Sequence, residues 1–527
     1  MASAAPARGV GGETLAPHED VAVLPVANPI LLVIGIMTAS LIQVLDTTIA
    51  NVAIPHMQSS LGATPDTVSW VLTSYIIASA VAMPITGWLA DRVGSRRLFI
   101  GSVIGFIVAS MLCGMAQNLE EMVIFRALQG VAGAFIAPLS QAALLDTTRP
   151  SRQSQIIALW GMGVMIGPIL GPVLGGWITE NWSWRWVFYV NVPVGALCLV
   201  ILLAQLPSRA ITRRRFDLFG FSLIATALGS LQLLLDRGNQ LDWFASLEIW
   251  LYAFLVASAT WVAVIHFSTA KQPLFDRRLF ANVNFVIALV FMAVIGMVMF
   301  ATMALMPPML QGLFGYDVVD TGLVLMPRGV GVLVSMQLSG ILLRKGVDAR
   351  WMVSAGFLVG AWSLWQMAGW SLEVDKYHIV MSGLIQGLGI GLVFIPLQGT
   401  AFASLPPHLR TDGSSLLNLT RSVGSSIGIS IMVTLLARNT QTSHADLAGH
   451  VTPAMTSAFD LSSLARFQQY GEAGLGVIDQ MVTRQAAMIA YIDDYWLMMW
   501  LSLASVPLVL VMRKSSGPAV RAGPPEH

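Results

Sequence analysis

Long apolar runs separated by short polar turns dominate the chain. There are about fourteen such runs, each close to the roughly 20 residues that a membrane-spanning helix needs. Their approximate cores are 30–51, 68–90, 98–116, 121–145, 154–178, 185–206, 217–236, 247–267, 283–306, 319–343, 351–370, 377–403, 412–437 and 491–512. The pattern predicts an all-α integral membrane protein with about fourteen transmembrane helices.

The distribution of Lys and Arg orients these runs, because short cytoplasmic loops retain positive charge. With the N-terminus inside, four basic residues fall at or within spans: Arg126, Arg185, Arg328 and Arg421. Few lie in the segments predicted to be outside: Arg237, Lys376, Arg438, Arg466 and Arg484. The distribution predicts an even number of spans with both termini in the cytoplasm.

Breaks in the pattern divide the chain into segments. We predict cytoplasmic tails, two six-helix halves, and between the halves a basic linker with an inserted helix pair. In chain order these are residues 1–28, 29–206, 207–270, 271–512 and 513–527, the fourth including an outer segment at 438–490. The Leu, Phe and Met content of that outer segment predicts short packed helices.

An internal repeat supports the two halves. Gln129-Gly130 in the fourth span is echoed by Gln386-Gly387 in the twelfth, and the glycines of the fifth span are echoed by Gly424 and Gly428. Both echoes have a similar offset of about 255 residues, so duplication is the preferred interpretation.

The amino-acid composition is typical of a protein that lies mainly in lipid. Hydrophobic residues make up 55% and charged residues 11% of the chain, against about 25% charged in a typical soluble domain. The net charge of +1 argues against a nucleic-acid partner. The sequence contains no phosphate-binding loop, zinc-ligand spacing or nucleophile constellation, so we expect no enzyme, no cofactor and no metal.

Two opposite charges are predicted to lie in apolar spans at similar depth. Arg126 shares one helical stripe with Gln129, Gly130 and Gly133, and an arginine in hydrocarbon must find an acceptor or water. Asp46 in the first span is the natural acceptor. We predict that Asp46 and Arg126 form a proton-coupling site. The alternatives are a structural, permanently hydrogen-bonded Asp46 and an Arg126 that reaches the outer headgroups.

The loop between the second and third spans carries a dense motif. It contains Gly87, Asp91, Arg92 and Gly94, where Gly94 permits a tight turn. Asp91 can cap the adjoining helix and pair with an arginine. We predict a latch between the halves. The alternative is a loop that only sets topology.

The fifth span has one flat glycine face interrupted by prolines. The residues are Gly163, Gly167, Pro168, Gly171, Pro172 and Gly175. Glycines at four-residue spacing allow close helix approach, and prolines remove backbone hydrogen bonds. We predict a helix that pivots against a neighbour. Simple small-residue packing is the alternative.

Candidate substrate contacts are aromatic, methionine and amide side chains predicted to face a cavity between the halves. They are Gln43, Trp70, Tyr75, Gln129, Met303, Met306, Gln311 and Gln398. Asp493 and Asp494 open the last span near its outer end, where we predict surface solvation. Proton gathering or contact with the outer segment is the alternative.

These motifs resemble those of the major facilitator superfamily, and in particular its fourteen-span drug/proton antiporter branch. The resemblance lies in residues 87–97, Arg126 to Gly133, Gly161 to Gly176 and Leu45 to Pro55. Residues 184–193 and 235–244 narrow it to the EmrB-like exporters. Trp88 departs from the loop motif. The second-half echo of that motif, at Gly340 to Lys345, lacks its aspartate.

The resemblance implies an inner-membrane exporter that exchanges protons for amphipathic toxic compounds. It also implies a periplasmic adaptor protein and an outer-membrane channel as partners. A proton-coupled importer or narrow-specificity metabolite exporter shares the fold and stays an alternative. A membrane scaffold or receptor would leave Asp46 and Arg126 without a role.

Overall fold

The described part of the chain folds into a bundle of fourteen long helices. A computed structural model describes residues 20–450, apart from 210, 213 and 404, and residues 472–512. The predicted tails therefore fall largely, and residues 451–471 entirely, outside the described residues. The helices are α1 (Pro29–Ser60), α2 (Trp70–Val93), α3 (Ser95–Met115), α4 (Leu119–Thr147), α5 (Pro150–Asn181), α6 (Trp186–Gln205), α7 (Leu218–Arg237), α8 (Leu247–Thr269), α9 (Val283–Gly312), α10 (Val318–Arg344), α11 (Ala349–Met367), α12 (Lys376–Ala403), α13 (Arg410–His450) and α14 (Glu472–Ser505).

Within the described residues, thirteen of these helices are long and apolar enough to cross a membrane. The remaining one, α11, has 19 residues and packs against α12 and α14. The all-α membrane fold predicted from the apolar runs is therefore confirmed. Short helices at Pro65–Val68 and Arg277–Ala281 lie in connections.

Local sequence signals begin and interrupt these helices. Asn28, Asn118 and Asp317 each cap a helix by accepting a hydrogen bond from a backbone N–H of the first turn, the Asn118 bond being 2.8 Å long. α2 contains a 3₁₀ turn at Met83–Ile85 around Pro84. α4 is interrupted at Phe135, three residues before Pro138, because proline cannot donate the hydrogen bond of a continuous helix.

Glycine packing in the two halves follows the predicted repeat. A Cβ added to Gly130 of α4 would lie 2.4 Å from the carbonyl oxygen of Tyr75 in α2. At the echo of this site, a Cβ on Gly387 of α12 would lie 2.0 Å from the carbonyl oxygen of Arg328 in α10. Each glycine is needed because the neighbouring backbone occupies the space of a side chain.

The inserted pair α7–α8 lies at the edge of the bundle. Most of its surface is exposed, including the aromatic side chains of Trp250, Phe254 and Trp261 on α8. α7 packs against the core helix α2 and, more weakly, α13. Exposed aromatic and aliphatic groups on a membrane helix are typical of contact with lipid.

The predicted short helices of the outer segment are wrong for its described part. Residues 438–450 continue α13, and residues 472–490 form the first turns of α14. His444 Nε2 lies 3.0 Å from Asp479 Oδ1, and Asn439 Nδ2 donates to Asp493 over 3.3 Å. α13 and α14 therefore continue past the rest of the bundle as two helices that are joined by these polar contacts.

Candidate functional site

The bundle centre contains a fully buried ion pair between α1 and α4. Arg126 Nη1 lies 2.7 Å from Asp46 Oδ2, and both side chains are 0% exposed. Gln129 Nε2 donates to Asp46 Oδ1 over 2.9 Å, while its Oε1 accepts from Arg126 Nη1 over 2.8 Å. A buried charge pair is tolerated only when further hydrogen bonds satisfy it, and Gln129 bridges both partners.

Further groups around the pair come from α2, α3 and α6. Asn191 Nδ2 donates to Asp46 Oδ1 over 2.7 Å and contacts Ser110 Oγ at 2.9 Å. Arg126 Nε donates to the Val71 carbonyl over 3.1 Å, and its guanidinium lies 4.5 Å from the centre of the Tyr75 ring. Asp46 therefore accepts hydrogen bonds from three side chains on two other helices.

The glycine face of α5 packs directly on the helix that carries Asp46. A Cβ on Gly167 would lie 2.9 Å from Val44 Cγ1. A Cβ on Gly171 would lie 2.1 Å from Thr48 Oγ1. On another side, α5 contacts α10 of the second half, where a Cβ on Gly322 would lie 2.7 Å from Val173. α5 thus connects the ion-pair helix with the opposite half.

The loop motif after α2 binds the linker. Gly94 has φ +98°, so the predicted tight turn is present. The predicted helix cap by Asp91 is wrong, since the first turn of α3 has no side-chain cap. Asp91 instead forms an ion pair with Arg214, whose Nε lies 3.1 Å from Asp91 Oδ2, because the linker brings that guanidinium within reach. Arg92 is exposed, 5.6 Å from the ring of Trp88.

Arg214 also reaches the second half of the bundle. Its Nη1 and Nη2 each donate to Asp412 of α13 over 3.0 Å. Burial opposes the charge on Arg214, but the hydrogen bonds and negative charge of Asp412, with the charge of Asp91, raise the pKa of Arg214 overall. A Cβ on Gly87 would lie 1.5 Å from Asp412 Oδ1. The resulting Asp91–Arg214–Asp412 bridge joins α2, the linker and α13.

We call this end of the bundle the basic face, because it carries Arg92, Arg209, Arg214 and Arg344. Further hydrogen bonds and ion pairs join the two halves there. Gln141 of α4 donates to Gln398 of α12 over 3.1 Å and accepts from Asn418 of α13 over 2.9 Å. Asp146 binds both Arg209 and Arg410. The halves are therefore held closed at the basic face.

The predicted substrate contacts lie in different environments. Gln129 and Tyr75 belong to the ion-pair network, and Gln398 belongs to the basic-face contacts. Met306 is buried against Tyr495, whose hydroxyl lies 3.1 Å from its sulfur, while Gln311 is exposed near the end of α9. The half-buried members of the set are Gln43, Trp70 and Met303.

The second half has a different polar centre. Gln386 of α12, the echo of Gln129, donates to the hydroxyl of Thr302 in α9 over 3.3 Å, whereas Gln129 donates to the carboxylate of Asp46. The predicted surface position of Asp494 is wrong. Asp493 is exposed, but Asp494 is 1% exposed because its side of α14 packs into the bundle.

A two-half helical bundle with a buried ion pair beside the inter-half contact is the architecture of secondary transporters. Residues 36–429 match the model of the Major Facilitator Superfamily. The chain belongs to that superfamily, and its class is transporter rather than enzyme.

Two relatives match almost the whole chain. The multidrug export protein EmrB of Escherichia coli (strain K12) is 35% identical over 490 residues, 92% of this chain and 95% of that one. The fatty acid resistance protein FarB of Neisseria gonorrhoeae is 34% identical over 478 residues, 89% of this chain and 93% of that one. The chain is thus EmrB-like over most of its length.

Solved structures agree on the fold. The proton:xylose symporter XylE bound to 6-bromo-6-deoxy-D-glucose matches 93% of this chain and 97% of its own, with a TM-score of 0.62 and 12% identity. The human organic anion transporter MFSD10 (TETRAN) matches 90% of this chain and 99% of its own, with a TM-score of 0.58 and 14% identity.

Proposed function

We propose that this protein is a proton-driven multidrug exporter of the bacterial inner membrane. The Asp46–Arg126 pair carries the proposal, because a buried carboxylate whose charge is balanced by one arginine can bind a proton reversibly. The likeness to EmrB and FarB supports hydrophobic and amphipathic substrates. The basic face is cytoplasmic in this proposal, with both termini on that side.

Protonation of Asp46 changes the contact between α1 and α4. The proton removes the negative charge that holds Arg126 Nη1 at 2.7 Å. Losing one partner of a buried pair costs about 3–5 kcal/mol. Relaxation then moves α1, and α5 follows through the Gly167 and Gly171 contacts and shifts against α10. Alternating access results from the two halves rocking about this contact.

The driving force has the magnitude that this switch needs. One elementary charge moving through 100 mV releases about 2.3 kcal/mol before any pH gradient is added. That is roughly half to three quarters of the cost of about 3–5 kcal/mol for losing one partner of a buried pair, and a pH gradient adds to it. Inward proton flow can therefore drive outward export of a neutral or weakly charged substrate.

The partners in this proposal are a periplasmic adaptor protein and an outer-membrane channel. The helical extension of α13 and α14, opposite the basic face, is the surface where the adaptor docks. The contacts His444–Asp479 and Asn439–Asp493 join the two helices there. Co-purification of the adaptor with a variant that lacks residues 445–480 tests this docking, and retained binding would exclude it.

The decisive experiment measures export of a fluorescent amphipathic dye by vesicles under an imposed proton gradient. The native protein should transport the dye, and Asp46→Asn should lose gradient-dependent transport. Glu120→Gln is the control, because it neutralises an exposed carboxylate at the start of α4, the helix of Arg126. Normal transport by Asp46→Asn would refute the assignment of Asp46 as the proton site.

Transport measurements in cells and in vesicles also separate the rival functions. An importer would accumulate its solute in cells, and collapse of the gradient would lower that accumulation rather than raise it. A narrow-specificity metabolite exporter would show gradient-dependent transport of one solute but not of chemically unrelated dyes. A scaffold or receptor would transport nothing.

A further inference from the structure

Asp494 is a buried carboxyl without a hydrogen-bond partner among the described residues. It lies in the middle of α14, is 1% exposed, and neither side-chain oxygen is within hydrogen-bonding distance of a donor. A buried carboxylate that is neither paired nor hydrogen-bonded is strongly unfavourable, so such a group holds a proton. Asp46 presents the opposite case, since three donors balance its charge.

The helices packed against α14 bring few charges towards this carboxyl. α9 has no charged residue, and α11 has only Arg350, which binds Asp348 and the Met512 carbonyl at the basic face. The ionisable residues of α13 lie near its two ends, except for Arg421, which binds Asn418 over 3.3 Å. They are Arg410, Asp412, Arg438, His444, Asp446 and His450. The ionisable neighbours of Asp494 on α14 are Tyr491, Asp493 and Tyr495.

One buried cation in the second half has no carboxylate partner among the described residues. Arg328 of α10 is 8% exposed, and its Nη2 donates to the Met299 carbonyl over 3.0 Å. Tyr495, the residue after Asp494, is within electrostatic range of both Asp494 and Arg328. An approach of the Arg328 guanidinium to the Asp494 carboxyl in another conformation of the transporter would favour proton release.

We propose that Asp494 is a second proton-binding site, in the second half of the transporter, which holds its proton in this conformation and releases it when Arg328 approaches. It is separate from the Asp46 site, because the two carboxyls lie in different halves. Asp494 lies on the same stripe of α14 as Tyr491, Tyr495 and Met498, which belong to a hydrophobic cluster of the second half. The inference does not depend on which compounds the protein exports.

Infrared spectroscopy of the purified full-length protein tests the proposal without a transport assay. At neutral pH the native protein should show the carbonyl band of a protonated carboxylic acid, and Asp494→Asn should lose it. Asp493→Asn is the matched control: it changes the adjacent, exposed carboxylate and should keep the band. Identical spectra for the native protein and Asp494→Asn would overturn the proposal.

A second measurement tests proton release. Vesicle transport by Asp494→Asn should lose part of the pH dependence that the native protein and Asp493→Asn share. An unchanged pH profile would overturn the release step even if the infrared band is present. Failure of Asp46→Asn to affect transport would instead refute only the Asp46 assignment.

Discussion

Gly171 of α5 lies against Thr48 of α1 so closely that a Cβ at Gly171 would be 2.1 Å from the Thr48 hydroxyl oxygen. Gly171→Ala should therefore force α5 away from the ion-pair helix. Overpacking of this kind costs typically about 1–3 kcal/mol. We expect a lower unfolding temperature and slower dye transport, measured by thermal unfolding in detergent and by vesicle assay.

Gly101→Ala in α3 is the matched control, because a Cβ there meets nothing within 4 Å. It should leave both the unfolding temperature and the transport rate near those of the native protein. Equal behaviour of the two alanine variants would contradict a requirement for close α1–α5 packing.

Replacing Arg126 by lysine should impair coupling although the positive charge remains. The guanidinium binds Asp46, Gln129 and the Val71 carbonyl at once and stacks on Tyr75, which one ammonium group cannot reproduce. Loss of about 1.4 kcal/mol or more corresponds to at least a tenfold fall in gradient-driven transport. Arg185→Lys, which alters an arginine outside this network, should retain the native rate. Full activity of Arg126→Lys would show that charge alone suffices.

The sequence predicted those site residues whose role is indicated by neighbouring residues in the chain, but not the contacts that depend on how distant helices meet. Asp46 and Arg126 were identifiable because a charge in an apolar run must find a partner. Asn191 was missed as a partner of Asp46 because their contact depends on how α1 and α6 meet. The Asp494 error has a local cause: Tyr491, Asp494, Tyr495 and Met498 form one stripe at helical spacing, but two adjacent aspartates resemble a polar helix end.

Long-range polar pairs were the least predictable part of the site. Arg214 and Asp412 are 198 residues apart in sequence, and no local pattern connects them. The basic stretch of the linker was recognised only as a cytoplasmic segment, although Arg214 binds both halves. Pairing of this kind depends on the assembled fold, because each partner sits in an ordinary polar connection or helix end.

The Asp91–Arg214–Asp412 bridge should stabilise the closed basic face. Arg214→Gln and Asp412→Asn should each increase the labelling rate of a cysteine at the buried Thr411 by a thiol reagent. Because the two residues share the same bonds, the double variant should show less than the sum of the single effects, with a coupling energy of about 0.5–3 kcal/mol. Arg149→Gln, at an exposed position of the same face, is the control. Additive effects would argue against the bridge.

The inserted helix α7 should hold the two halves together on the side opposite the basic face. Asp236 near its end accepts a hydrogen bond from Thr73 of α2. The end of α7 and the turn after it bind α13: Ser430 Oγ donates to the Leu235 carbonyl over 2.8 Å, and Thr434 Oγ1 donates to Asn239 Oδ1 over 2.8 Å. One end of α7 therefore joins a helix of each half.

Removing the α13 contacts by Ser430→Ala with Thr434→Val should let α2 and α13 separate more readily at that end. Two hydrogen bonds contribute about 2 kcal/mol together, which corresponds to roughly a thirtyfold change in the population ratio. Spin labels at Leu72 and Val433 should show a shift towards longer distances in pulsed electron resonance. Ser222→Ala, whose hydroxyl binds only the Leu218 carbonyl of its own helix among the described residues, should leave the distances unchanged. If the double variant keeps the native distance distribution, α7 does not hold the halves together, and its role is confined to contact with lipid and α2.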